Sequence, residues 1–170
     1  MEYYCVMVLT GEERAFKSRA TEALKALDSS AEFWFFERRL YTERRGWFLG
    51  ALFPGYLFFQ VRALTPDFFA ALREVKGFCR ILRDNQEPVR IEGGALDELK
   101  FLIHSGEILD VSKIKFLPGQ AIKAVSGPLA GYEGRIVRVN KKKRRVTVRS
   151  LLADGGMTFD LKYDEVETSD

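Results

Sequence analysis

Five consecutive basic residues, Lys141-Lys142-Lys143-Arg144-Arg145, form the densest charge in the sequence. Like charges at that spacing repel, and a polyanion relieves the repulsion, so the run is a candidate phosphate-binding element. The same run also reads as a solvated turn that keeps a small domain soluble. Two arginine pairs, Arg38-Arg39 and Arg44-Arg45, flank Tyr41, with Trp47 and Phe48 close behind. Guanidinium forks hold phosphates bidentately and aromatic rings stack on unpaired bases, which makes this segment a second candidate surface, for RNA or unpaired DNA. Its alternative is a charged sheet edge that resists aggregation.

Covalent chemistry finds little material. His104 is the single histidine, so histidine-based metal clusters and Ser-His-Asp triads lack their parts. No phosphate-loop or dinucleotide glycine pattern occurs. Cys5 and Cys79 lie far apart with no partner at metal-ligand spacing, and both read as buried thiols in a reducing compartment. Neither metal nor cofactor is expected, and the chain reads as a binding protein, not an enzyme.

The elements that must carry these residues fall into two textures. Residues 1–116 hold 17 Lys and Arg against 17 Asp and Glu, while residues 117–170 hold 10 against 7. Of 22 aromatic residues, 19 precede Leu117. Two domains with different tasks account for that split. No apolar run approaches the roughly 20 residues of a membrane span, and Met1-Glu2-Tyr3 opens without a leader pattern, so a cytoplasmic protein without membrane contact is expected.

Tyr3 to Leu9 is apolar at nearly every position, the pattern of a strand covered on both faces. Thr10 and Glu13 have the spacing of a capping box, and Phe16, Ala20, Ala23, Leu24 and Leu27 share one helical face up to Asp28-Ser29-Ser30. Phe33 to Phe36 reads as a strand, residues 37–50 as a hairpin or loop, and Tyr56 to Val61 as a strand after the Pro54-Gly55 turn. Thr65-Pro66-Asp67 opens a second helix that Gly77 closes. Cys79 to Leu82 and Val89 to Ile91 read as strands, and Ala95 to His104 as a third helix. The order gives a split βαβ arrangement over 1–104, an antiparallel sheet with helices on one side. Residues 105–116 show no period and read as a linker. Over 117–170, short β-branched runs separated by glycine-rich turns predict a small β-barrel. The class is α+β.

Lys123 through Val139 includes Gly127-Pro128, Gly131 and Gly134 between two strand-like runs, which resembles the KOW motif. The three glycines are expected to allow a compact turn with unusual backbone angles. Phe53-Pro54-Gly55-Tyr56-Leu57-Phe58, followed by Gln60-Val61, resembles the central signature of the N-terminal domain of the NusG family. Tyr3 to Val6 through Glu13, Val75-Lys76-Gly77-Phe78 and Pro88-Val89 are similar to other steps of that domain. The resemblance spans almost the whole chain. It implies an N-terminal α/β sandwich (NGN-like) joined to an SH3-like KOW barrel, and a transcription elongation factor that docks on the clamp helices of the largest subunit of bacterial RNA polymerase. By position it places Tyr3, Phe53, Pro54, Gly55, Tyr56 and Phe58 at an apolar groove for those helices.

The basic tip and the segment before the barrel resemble the LoaP-type antitermination subgroup, which implies operon-specific readthrough and contact with a nascent RNA hairpin. Ser150-Leu151-Leu152-Ala153-Asp154-Gly155-Gly156 lacks the aromatic of the general family's barrel loop, which leaves contact with ribosomal protein S10 or Rho open. The RfaH branch refolds its second domain into helices. Here Val125, Ile136, Val137, Val139, Val146 and Val148 favour strands, so a lasting barrel and a monomer are expected. A ribosome- or RNA-associated KOW protein without polymerase binding is the alternative, and a sandwich-fold enzyme with a deep polar cleft is a third possibility.

Overall fold

The computed structural model describes residues 1–153 and 155–167, with two compact units. The first comprises residues 1–35 and 53–97, and the second comprises residues 36–52 and 98–170. The sequence suggested instead a division into 1–104, 105–116 and 117–170. Asp154 and the last three positions of the expected second domain lie outside the described residues.

In the first unit, β1 (Glu2–Val8) lies at the centre of a four-stranded antiparallel sheet. Its neighbours are β5 (Tyr56–Val61) and β6 (Phe78–Ile81), and β2 (Glu32–Trp34) adds to the far side of β5. Tyr4, Cys5, Val6 and Val8 are all buried, so β1 is covered on both faces as its near-continuous apolar run required. On one face Phe59 stacks at 5.1 Å on Phe33 and at 6.1 Å on Phe68, and Phe16 meets Phe33 edge-on at 6.3 Å. Phe16 belongs to α1 (Glu13–Leu24) and Phe68 to α2 (Pro66–Arg73), which fixes both helices on that side of the sheet. Offset and edge-on ring pairs of this kind add about 0.5–1.5 kcal/mol each beyond the area they bury.

Helix α2 starts as its sequence requires. Thr65 caps it by accepting a hydrogen bond from Phe68 N at 3.1 Å, with Pro66 as the first helical residue. Helix α1 departs from expectation. It begins at Glu13 after Glu12, Thr10 makes no cap, and the Glu13 carboxylate instead accepts from the Gly11 N–H. It ends at Leu24, so Leu27 falls past the last turn and stays exposed. The expected strand at Val89 to Ile91 is replaced by single contacts: an Arg83–Pro88 bridge, Val89 N to Leu82 O, and Ile91 N to Tyr3 O. Pro88 has no N–H to extend a ladder.

The second unit carries the hairpin of β3 (Glu37–Thr42) and β4 (Gly46–Ala51), which settles residues 37–50 as paired strands. The segment read as a linker contains β7 (Ile108–Leu109), parallel to β3, and β8 (Ser112–Phe116). Strand β8 joins β9 (Ile122–Ser126), β10 (Ile136–Asn140), β11 (Arg145–Arg149) and β12 (Thr158–Glu165) in the order β10-β11-β12-β8-β9. Its partner β12 lies about fifty positions along the chain, a pairing that a local period does not reveal.

The turn glycines divide by role. Gly127 has φ of 94°, and a Cβ there would meet Ser112 Cα at 2.6 Å. Gly131 is at negative φ, but a Cβ would run into the Phe101 ring at 2.5 Å. Gly134 has neither constraint, contrary to the expectation that all three adopt special backbone angles. Phe101 lies on α3 (Gly93–Ser105), whose Glu98 is the polar centre of this unit. Its carboxylate accepts from Tyr132 Oη at 2.8 Å, Arg135 Nη1 at 2.6 Å, Ser150 Oγ at 2.5 Å and Leu151 N at 2.8 Å. A buried carboxylate is tolerated when its lone pairs are filled in this way. Burial and the adjacent Glu98 charge push the Tyr132 phenol well up from its ordinary pKa, so it stays a donor.

Candidate functional site

Two hairpin turns of the second unit bring charge and aromatic surface together. At the β3–β4 turn, Tyr41 and Trp47 are directly opposite in register, with ring centres 5.3 Å apart. Thr42 Oγ1 accepts from Arg45 N at 3.1 Å, and Gly46 supplies the positive φ of 71° that closes the turn. At the β10–β11 turn, Asn140 pairs with Arg145 and its Oδ1 accepts from Lys143 N at 3.0 Å. Tyr163 N donates to Arg144 O at 3.0 Å, and Lys162 sits opposite Arg145 in the β11–β12 register.

Between the turns lies a cleft of about 790 Å³. Tyr41, Thr42, Glu43 and Trp47 line it from one side, and Lys142 to Arg145, Lys162 and Asp164 from the other. Five cations against two carboxylates leave it positive. Arg145 reaches Tyr41 O with Nη2 at 3.5 Å, whereas its Nε is buried without a hydrogen-bond partner among the described residues. Burial lowers the pKa of Lys162, and Arg144 and Arg145 lower it further against the opposing pull of Asp164. The cleft therefore concentrates positive charge that its own residues do not neutralise.

Of the basic residues singled out by sequence, the structure gathers Lys142, Lys143, Arg144 and Arg145 with Tyr41 and leaves the others elsewhere. Arg38 is a correction. Its Nε donates to Asp160 O at 2.8 Å and its Nη1 to Ala51 O at 2.5 Å, so the guanidinium is occupied as a strut between β3 and β12. Arg39 faces Asp110 at 3.6 Å. Arg45 lies over the Phe48 ring at 4.0 Å. Arg44 is an exposed turn residue outside the cleft lining. Lys141 turns away, donating to Gln120 and lying over Phe116 at 4.6 Å. Lys162 escaped the sequence reading, although the alternation of buried Phe159, Leu161 and Tyr163 puts it on the opposite face with Asp160 and Asp164.

The aromatic signature of the first unit divides similarly. Phe53 and Phe58 are almost completely buried and meet edge-on at 5.3 Å, and Phe58 lies opposite Cys5 and Trp34 in the sheet. They are core residues here, which corrects the expectation that they line a groove. Tyr3 and Tyr56 are half-buried on the same sheet face as Phe58, Tyr3 stacks on Trp34 at 6.5 Å, and Pro54 is exposed. Gly55, at φ of 84°, approaches Val8, whose N–H bonds to Gly55 O at 2.8 Å. Among the described residues no group of three or more His, Cys, Asp and Glu is placed to hold a metal ion. No helix among them is long and apolar enough to cross a membrane.

Residues 1–100 match the family model described as transcription termination factor NusG, and residues 118–149 match the KOW motif. The transcription termination/antitermination protein NusG of Thermus thermophilus is 22% identical over 184 aligned residues, covering 98% of this chain and 97% of that protein. Its counterpart in Xylella fastidiosa is 25% identical over 128 residues, covering 69% of this chain and 68% of the relative. A solved structure, the domain interaction in Thermotoga maritima NusG, superposes with a TM-score of 0.61 at 18% identity over 95% of this chain and 93% of that one, a likeness of fold.

Proposed function

The chain belongs to the NusG family, and from that premise we propose that it binds bacterial RNA polymerase and promotes processive elongation or antitermination, with its basic cleft on nucleic acid. The docking surface on the first unit is the sheet face that bears Tyr3 and Tyr56 beside the exposed Pro54, the seat for the polymerase clamp helices once Phe53 and Phe58 are assigned to the core beneath. Partly exposed aromatics on a rigid sheet suit an amphipathic helical partner.

The observation that carries the nucleic-acid half is the cleft itself: four cations of one turn, a fifth from β12, and two open aromatic rings converge on one space. Phosphate contacts by Lys and Arg supply affinity in such a site. The charge suits an operon-specific, LoaP-like role in which nascent RNA or non-template DNA is held during elongation. The barrel loop that would meet ribosomal protein S10 or Rho offers Leu151 as its exposed apolar residue, and its backbone N–H is already bonded to Glu98.

Co-sedimentation with purified bacterial RNA polymerase tests the reading. Wild-type protein is expected to bind, and a Tyr3→Ala, Tyr56→Ala variant with unchanged circular dichroism to bind far less. Absence of wild-type binding would replace this reading with the RNA-associated KOW protein.

A further inference from the structure

We infer that the cleft between the β3–β4 and β10–β11 turns takes an unpaired nucleobase stacked on the indole of Trp47, with the flanking phosphates on Lys142 to Arg145. This rests on the nucleic-acid reading above and makes it specific to single strands.

Trp47 is 57% exposed, while the other tryptophan, Trp34, is buried. The open indole stands at a hairpin tip and lines the cleft. Tyr41, 40% exposed, fixes the indole from the paired strand, tilted by 57° so that the two rings do not cover each other face to face. Lys162 Nζ stands over the indole, 6.0 Å from its centre, at the outer limit of about 6 Å for a cation–π contact.

The bland alternative is that Trp47 merely shields the stem of Lys162. It leaves unexplained why four further cations gather at the same place. A phosphodiester answers that charge, since it brings acceptor oxygens and negative charge. The base attached to it then lies within reach of the indole. In a duplex both faces of every interior base are occupied by stacking, so within a paired strand the phosphates meet the cations but the bases do not meet the ring.

The two tryptophans provide the measurement. Emission of the full-length protein is titrated with a short single-stranded oligouridylate and with the same strand paired to oligoadenylate. The Trp47→Phe variant assigns the signal, and buried Trp34 is the internal reference. The single strand is expected to quench Trp47 emission, and Trp47→Ala to weaken retention of the labelled strand about tenfold, a typical effect of losing one base–aromatic stack. Equal binding of single strand and duplex with no effect of Trp47→Ala would overturn the stacking site and leave the nucleic-acid reading standing. No binding of either strand would overturn both, while polymerase binding stays a separate question.

Discussion

The second unit holds two clusters of charge built from similar residues, and they differ in whether the charges are answered. Around Glu98 each carboxylate oxygen accepts hydrogen bonds, from Tyr132, Arg135, Ser150 and Leu151. Around Trp47 five cations face two carboxylates, and a guanidinium nitrogen is buried without a partner among the described residues. A satisfied cluster is architecture, because its groups have nothing left to offer a ligand. An unsatisfied one at an open cleft keeps its charge available to a polyanion. Arg38 and Arg145 make the same contrast within one residue type: Arg38 gives Nε and Nη1 to backbone carbonyls at 2.8 and 2.5 Å, whereas Arg145 reaches Tyr41 O at 3.5 Å and has no partner for Nε among the described residues.

The largest effect expected from breaking this contrast is at Glu98. Removing one partner of a buried ion pair costs about 3–5 kcal/mol, so Glu98→Ala should lower the urea midpoint steeply, and Glu98→Gln should do so less. Arg38→Ala comes next. Loss of charge-assisted hydrogen bonds predicts about 1.5–3 kcal/mol of destabilisation by urea unfolding, with no change in the salt dependence of nucleic-acid binding. The cleft should behave in the opposite way. Lys142→Ser with Lys143→Ser should leave stability within about 0.5 kcal/mol and reduce the salt slope of binding by about 2, one for each lost phosphate contact.

The smallest effect concerns pH. The Leu64 N–H holds the Glu2 carboxyl below its ordinary 4.5, and the Ser30 hydroxyl holds Asp28 below 3.8. Carboxylates lowered in the folded state stabilise it fully above those ordinary values and lose that contribution as pH falls through the lowered ones. Thermal unfolding should therefore show a shallow loss of stability below pH 4.5 that Glu2→Gln and Asp28→Asn reduce.

Much of the fold was legible because its causes are local. The Thr65-Pro66 helix start, the all-apolar β1 and the Pro54-Gly55 turn each act through immediate neighbours, and each took the expected form. What escaped depends on residues far apart in sequence. Strand β8 looked like linker because β12, its partner, lies near the other end of the chain. Glu98 was not singled out by the sequence, although its place beside buried Leu99 and Leu102 was a sign of burial. At the candidate site, charge density identified Lys142 to Arg145, but density alone also drew in Lys141 and, on the second candidate surface, Arg38. Only their hydrogen bonds and ring contacts separate them from the cleft.

The most direct test of the account places a photo-crosslinking side chain in a transcription elongation complex assembled with purified bacterial RNA polymerase, labelled RNA and labelled non-template DNA. Position 142 should crosslink to nucleic acid and position 56 to the largest polymerase subunit. Crosslinks from position 142 to protein alone, with none to either strand, would contradict the central claim that the unanswered charges of the cleft are there for nucleic acid.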